Sequence, residues 1–290
     1  MTTTRQKGKR LVEQIEAERV TVNSHSQVEE PISLDGMVVS EEEYWANYYD
    51  ESDINSDISY EWNNGVLEEK PLSDYRRVTM YGWFLMLLRA YLETNPVAKL
   101  LFLEVGFRLA LSNKTTIRKP DISVICNDNP VPLGDTDMSY RGVCDLCVES
   151  LSVSRKKEIE RDTVVKKGEY ERAGVQEYYI LDPGDRTVFY QRNPSGEYEP
   201  LEADAEGILR SKVLPGFQFR VADLFSMPTL EELADDPVYR PFVLLQYQSV
   251  KQRAEMAEEQ AEIAEKQAAA EKARADRYAA VLRDLGVAGK

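Results

Sequence analysis

Residues 118–125 read RKPDISVI, and residues 144–152 read CDLCVESLS. Each run has the apolar character of a buried strand and each carries one carboxylate, Asp121 or Glu149. An isolated carboxylate costs on the order of several kcal/mol to bury without compensation, so each should be paired, protonated or bound to a cation. The sequence around these two runs therefore has to supply both a sheet that carries the acids and a positive charge that answers them.

Working outward, strand-like runs lie at 101–111, 117–125 and 144–151. The turn LSNKTT separates the first two, and a loop rich in Asn, Asp, Pro and Gly over 126–141 precedes the third. Upstream, residues 73–92 place Val78, Met80, Tyr81, Phe84, Leu85, Leu87, Leu88 and Tyr91 on one broad helical face. SYEWNNGVLEEK at 59–70 has the form of a hairpin, with Asn64-Gly65 supplying the positive φ angles of a tight turn. Ser40 and Glu43 form a capping box for a helix beginning SEEEYWANYY. Downstream, 154–174 suits a charged helix closed by Gly174, VQEYYILDPGDRTVFYQRN suits two strands, and 208–221 a further strand pair. Helix, hairpin, helix, strands, helix, strands is the order of an α/β fold with a mixed central sheet flanked by helices.

The expected organisation is a weakly ordered segment over 1–39, one domain over 40–228, a Pro-punctuated linker over 229–242 and a heptad-patterned helix over 243–286. In that last helix Val243, Tyr247, Val250, six alanines, Tyr278, Leu282 and Leu285 recur at alternating three- and four-residue steps, and only Glu271 interrupts them. The pattern predicts a coiled coil joining copies of the chain, with a solvated single helix as the alternative.

The net charge of −15 argues against a nucleic-acid partner only on average. Residues 60–183 hold 17 Lys/Arg against 19 Asp/Glu, so −2 of the −15 lies there and the rest at the two ends. Basic clusters occur at Arg76-Arg77, Arg118-Lys119, Arg155-Lys156-Lys157 and Lys166-Lys167. Cys126, Cys144 and Cys147 cannot all pair. Cys144 and Cys147 stand three apart, which on a strand means opposite faces, and the sole histidine, His25, sits in a polar stretch. Buried thiols fit better than a zinc site. With no signal peptide and no apolar run long enough to span a bilayer, the expectation is a soluble, cytoplasmic protein without membrane attachment.

Three residues then combine: Asp121, Glu149 and Lys166. Period-two geometry puts Leu151 on the same strand face as Glu149, so the compensating amine has to come from elsewhere. Asp162, Lys166 and Tyr170, spaced by four, share a face of the following helix. From there Lys166 can lean over the strand ends. Two carboxylates can hold Mg²⁺ or Mn²⁺ with water and phosphate filling the remaining positions, and a lysine can stabilise charge gathering on phosphate. Spacing alone equally allows Asp121 to pair with Lys119 or Arg118 and Glu149 to meet a surface arginine. Tyr170, Tyr178 and Tyr179 read as packing residues.

YEWNNGVLEE, KPDISVI, DLCVESLSVS, the Asp162–Lys166–Tyr170 spacing, AGVQEYYILDP and LPGFQFRVADLF together resemble the Uma family of restriction-endonuclease-like bacterial proteins over roughly 40–225. The resemblance implies the fold of PD-(D/E)XK nucleases. It implies Asp121 as the first acid, Glu149 as the second, Lys166 as a lysine displaced onto the helix, and Glu61 as a further acidic position assisting the metal. A Mg²⁺-dependent (or Mn²⁺-dependent) DNA endonuclease follows from it, expected as a homodimer through its core, its C-terminal helix or both. The alternatives are a nuclease for RNA or branched DNA, and a catalytically inactive interaction protein that oligomerises through its coiled coil. Two departures stand out. SDYRRV, near the start of the first core helix, lacks the histidine that family members often carry, and SVS at Ser152–Ser154 replaces the usual Ser-Pro-Ser.

Overall fold

The computed structural model describes residues 33–49, 58–70, 73–102, 105–152 and 155–284. The chain divides into two compact units, Met1–Lys70 and Pro71–Lys290.

In the first unit a helix, α1 (Glu41–Asn47), precedes a hairpin of β1 (Tyr60–Asn63) and β2 (Val66–Glu69). The capping box is present: Glu43 N donates to Ser40 Oγ at 3.1 Å and Ser40 N to Glu43 Oε2 at 2.8 Å. Asn64 (φ 49°) and Gly65 (φ 97°) make the turn. Weak order through residue 39 was the expectation, yet from Ser33 the chain is placed. Its backbone bonds to β2 through Gly36 N to Leu67 O and Leu67 N to Met37 O, both at 2.9 Å. Val39 is buried against this edge and its carbonyl accepts from Trp62 Nε1 at 3.1 Å. The part of the 1–39 segment before Ser33 falls outside the described residues.

In the second unit a six-stranded sheet runs in the order β10-β9-β8-β7-β6-β3. Its strands are β3 (Ala98–Phe102), β6 (Ile122–Cys126), β7 (Leu146–Ser150), β8 (Glu177–Leu181), β9 (Val188–Arg192) and β10 (Tyr198–Pro200). Only β7–β8 is parallel; the other neighbours are antiparallel. A parallel pair needs a crossover, and the charged helical stretch supplies it: α3 (Lys156–Glu160), a π-helical turn (Arg161–Lys166) and α4 (Lys167–Ala173), closed by Gly174 at φ 97°. On the opposite face lies α2 (Tyr75–Thr94), whose Asp74 cap accepts from Arg77 N at 3.0 Å. It buries Met80, Trp83, Phe84, Leu87, Leu88 and Tyr91. Val78, expected on this face, is exposed; Trp83 takes a buried place instead, its indole donating to the Pro228 carbonyl at 2.8 Å.

The two longest strand expectations were wrong in one instructive way. The run 101–111 divides between β3 and β4 (Phe107–Ala110), and 117–125 between β5 (Thr115–Arg118) and β6. β4 and β5 pair with each other, Phe107 opposite Arg118, whereas Ile122 stands opposite Phe102 and Val148 in the six-stranded sheet. Lys119-Pro120-Asp121 carries the chain between these pairings. Pro120 has no N–H to give a ladder and restricts Lys119 before it, so the strand ends there. Asp121 accordingly sits at the entrance to β6, half-buried, and not inside a strand.

Residues 229–242 are no linker. Thr229 caps α6 (Leu230–Ala234), and Leu233, Val238, Tyr239 and Phe242 are buried in the core that α2 covers. Tyr91 and Phe242 meet edge-to-face at 5.6 Å. A small sheet of β11 (Ile208–Arg210) and β12 (Gln218–Arg220) and the helix α5 (Asp223–Ser226) pack on the same side. The 208–221 pair thus builds its own sheet and adds nothing to the central one. Finally α7 (Leu245–Asp284) runs for 40 residues. No helix among the described residues is long and apolar enough to cross a membrane.

Candidate active site

The site grows from β7. Its residues alternate between two packed faces: Leu146 and Val148 join the core under α2, while Cys147 and Leu151 join a second core with Tyr170, Tyr178 and Phe107. Alternation therefore sends Glu149 to the second face, beneath the crossover helix. The expected company of Leu151 on that face is observed.

Glu149 is about 2 % exposed and so is Lys166. Lys166 Nζ lies 3.0 Å from Glu149 Oε1 and 3.4 Å from Asp162 Oδ1. The Tyr170 hydroxyl donates to the same Glu149 oxygen at 2.9 Å. Lys166 and Tyr170 thus converge on one strand residue, with Asp162 behind Lys166, and the π turn helps to explain how. In an unbroken α-helix, positions eight apart drift by about 80° around the axis. The wider π turn rotates less per residue and takes back part of that drift. Within the turn the Asp162 carbonyl accepts from Tyr178 OH at 2.9 Å, and Thr163 Oγ1 donates back to the Ile159 carbonyl of α3 at 2.7 Å.

Asp121 comes from the neighbouring strand. The β6–β7 register ends with Ile122 opposite Val148, so Asp121, just before β6, comes beside the end of β7 where Glu149 and Ser150 lie. The link is direct, since Ser150 N donates to Asp121 Oδ2 at 2.8 Å. Tyr81 of α2 donates to the Asp121 carbonyl at 3.2 Å. Burial, reinforced by the Asp121 charge, pushes the Tyr81 hydroxyl up to about 12. Burial, with the Glu149 and Asp162 charges behind it, likewise holds the Tyr178 hydroxyl protonated well above its ordinary range.

The surroundings fix these elements. Arg118, fully buried at the end of β5, grips Glu169 of α4 with two bonds, Nε to Oε2 at 2.6 Å and Nη2 to Oε1 at 2.9 Å. Lys114 also pairs with Glu169. Phe107 stacks on Tyr170 at 5.9 Å. Arg77 of α2 donates to the Leu151 carbonyl at 2.8 Å, pinning the exit of β7. Beyond it, Ser152 Oγ and Arg155 N both donate to Glu158 at 3.0 Å, and Arg155, Lys156 and Lys157 are exposed at the helix start.

Glu149 and Lys166 are therefore paired, and Asp121 bonds the backbone of the residue after Glu149. Glu61 lies in the first unit, fully buried on β1. Glu149 meets a buried lysine, and Arg118 is engaged by Glu169. Cys144 precedes β7, so the opposite-face rule does not reach it. Both it and Cys147 are buried free thiols, and after burial their mutual hydrogen bond is the chief cause raising the Cys147 thiol. Sequence reasoning gave Tyr170 to packing and missed its hydroxyl; the four-residue spacing from Lys166 was the available signal. Arg77 and the Arg118–Glu169 clamp had no local signal at all.

A family described as Uma2, "Putative restriction endonuclease", matches residues 42–222. The chain belongs to the Uma2 family. The Uma2 match takes in both acid-bearing strands and the whole crossover helix. Among solved structures, a crystal structure of a putative nuclease belonging to DUF820 from Anabaena variabilis is similar at TM-score 0.46 and 16% identity, over 59% of this chain and 92% of that chain. No curated protein matches the chain.

Proposed function

We propose that the chain is a Mg²⁺- or Mn²⁺-dependent endonuclease that hydrolyses phosphodiester bonds in DNA. The observation that carries the reading is the 3.0 Å approach of Lys166 Nζ to Glu149 Oε1, with Asp121 bonded to the backbone of Ser150, the residue after Glu149. The donor set suits a hard cation, because it offers carboxylate oxygens and neither thiolate nor imidazole. Among the described residues no group of three or more His, Cys, Asp or Glu side chains gathers as ligands. Asp121 and Glu149 would thus hold the ion through few protein oxygens, leaving coordination positions to water and phosphate. When bound, such an ion polarises the phosphodiester and makes a coordinated water more acidic.

The remaining work falls to the chain itself. Tyr170 fixes the direction of the Glu149 carboxylate, and Ser150 N–H fixes that of Asp121. Lys166, held between Glu149 and Asp162, places a positive charge where the pentacoordinate phosphate gathers negative charge. A homodimer sets two such centres against the two strands of a duplex, which gives association through the C-terminal helix a purpose.

A second reading has one observation in its favour: Glu149 and Lys166 are each about 2 % exposed. That degree of enclosure also suits a nuclease-like core kept as a binding module. Incubating the purified chain with supercoiled plasmid and Mg²⁺ separates the two. On the nuclease reading, Asp121→Ala, Glu149→Ala and Lys166→Ala each lower nicking by at least about 100-fold while the far-ultraviolet circular dichroism is kept. Unchanged cleavage by Asp121→Ala removes the assignment. Single-stranded RNA and a branched duplex, run beside the plasmid, fix the substrate class.

A further inference from the structure

From Gln252 to Arg283 every residue of α7 is exposed, a helix extending roughly 50 Å with nothing packed on it. Its heptad face begins with Tyr247, because Val243 is buried in the core before the helix starts. The bulky groups of that face lie at its two ends, Tyr247 and Val250 at one and Tyr278 and Leu282 at the other, all about half-exposed or more. Between them the face is alanine, broken by Glu271. Alanine layers permit close approach but discriminate poorly between alignments, so the flanking charges decide the polarity of any pair.

We infer that α7 pairs with the same face of a second copy, parallel and in register. The inference deepens the dimer reading above and is independent of the chemistry. With Tyr247 at position a, the g and e positions flank the seam, and in a parallel pair each g residue meets the e residue five further on. Arg253 then faces the partner's Glu258, twice by symmetry, and the polar pair of Gln260 with the partner's Glu265 is neutral in sign. Glu271, the one charged seam residue, shares its d layer with the partner's Glu271, and the partner's Lys272 at the adjoining e position answers each of the two charges. The fully overlapped antiparallel pair aligns e with e and g with g. It sets Lys251 against the partner's Lys272, Glu258 against the partner's Glu265 and Arg253 against the partner's Arg274. Every charged contact there is repulsive. A slip of one heptad relieves some of them but sets Tyr278 in a layer with the partner's Ala254.

The test uses the full chain in a Cys126→Ser background. Sedimentation equilibrium should give a dimer, and Val250→Cys should form an intermolecular disulfide on mild oxidation, since the two copies of that d position face each other only in the parallel alignment. Arg253→Glu should weaken the dimer about tenfold, and adding Glu258→Arg should restore it. A monomer, or a disulfide formed between a Val250→Cys chain and an Ala275→Cys chain in preference to the self-linked product, overturns the inference.

Discussion

The two faces of the six-stranded sheet are built from different chemistry. Under α2 the contacts around Phe84 are hydrocarbon and aromatic: Val124, Leu146, Val148 and Tyr179 meet Phe84, Leu87 and Leu88, with Phe84 edge-to-face on Tyr179 at 6.2 Å. The buried carboxylate at its margin, Glu177, is held by neutral donors, the Tyr179 and Ser211 hydroxyls and backbone N–H groups. Under the crossover helix the same strands meet tyrosines and the buried Glu149 with Lys166 and Asp162, and Arg118 of β5 holds that helix through the buried Glu169. The first face follows from area removed from water. Buried ion pairs add little net stability, because desolvation offsets their attraction, so the second face holds a geometry more than it holds the fold.

The largest expected effects break that contrast directly. Phe84→Ala should cost about 3–5 kcal/mol in chemical denaturation, from lost transfer energy and a cavity. Arg118→Met should cost a similar amount, on the order of 3 kcal/mol, because it removes two bonds from the buried Glu169 carboxylate and leaves it to Lys114. The double variant Arg118→Met/Glu169→Met sharpens the comparison. It should recover most of that loss, whereas no second apolar change repairs Phe84→Ala. If the double variant is as unstable as the single, the charged face is stabilising and the contrast is wrong. A smaller effect, about 1.5–3 kcal/mol, is expected of Tyr170→Phe, which removes a hydrogen bond to a charged group but keeps the ring stacked on Phe107.

The smallest effect concerns pH. Tyr81 is held up at about 12 by burial and then by Asp121. Its folded value lies above the unfolded one, so the native state keeps this proton longer than the unfolded chain does. The contribution is fully present below pH 10 and is lost as pH rises through 12. Tyr81→Phe should remove one tyrosinate step near 12 in an absorbance titration, and Asp121→Asn should move that step down only part of the way. A step at the ordinary tyrosine value contradicts the burial cause.

How far these features were legible differs between the faces in the same manner. The α2 face could be read from helical periodicity, since Phe84, Leu87, Leu88 and Tyr91 follow from spacing alone. The approach of Lys166 to Glu149 was legible as a possibility, because an i, i+4 ladder and a strand acid were both visible. What escaped was non-local. Pro120 looked like one residue in a strand, yet it ends β5 and turns the chain toward β6. The prolines at 228–241 suggested a linker, and Leu233, Tyr239 and Phe242 between them were given too little weight. The π turn leaves no mark in propensity, and the Arg118–Glu169 clamp joins residues 51 apart in the chain.

The proposal that Asp121 and Glu149 form one divalent-cation site is met most directly by calorimetric titration of the full chain with Mn²⁺. One saturable site per chain is expected, lost in Asp121→Asn and in Glu149→Gln while both variants melt cooperatively. Mn²⁺ binding that is undiminished in either variant contradicts the account.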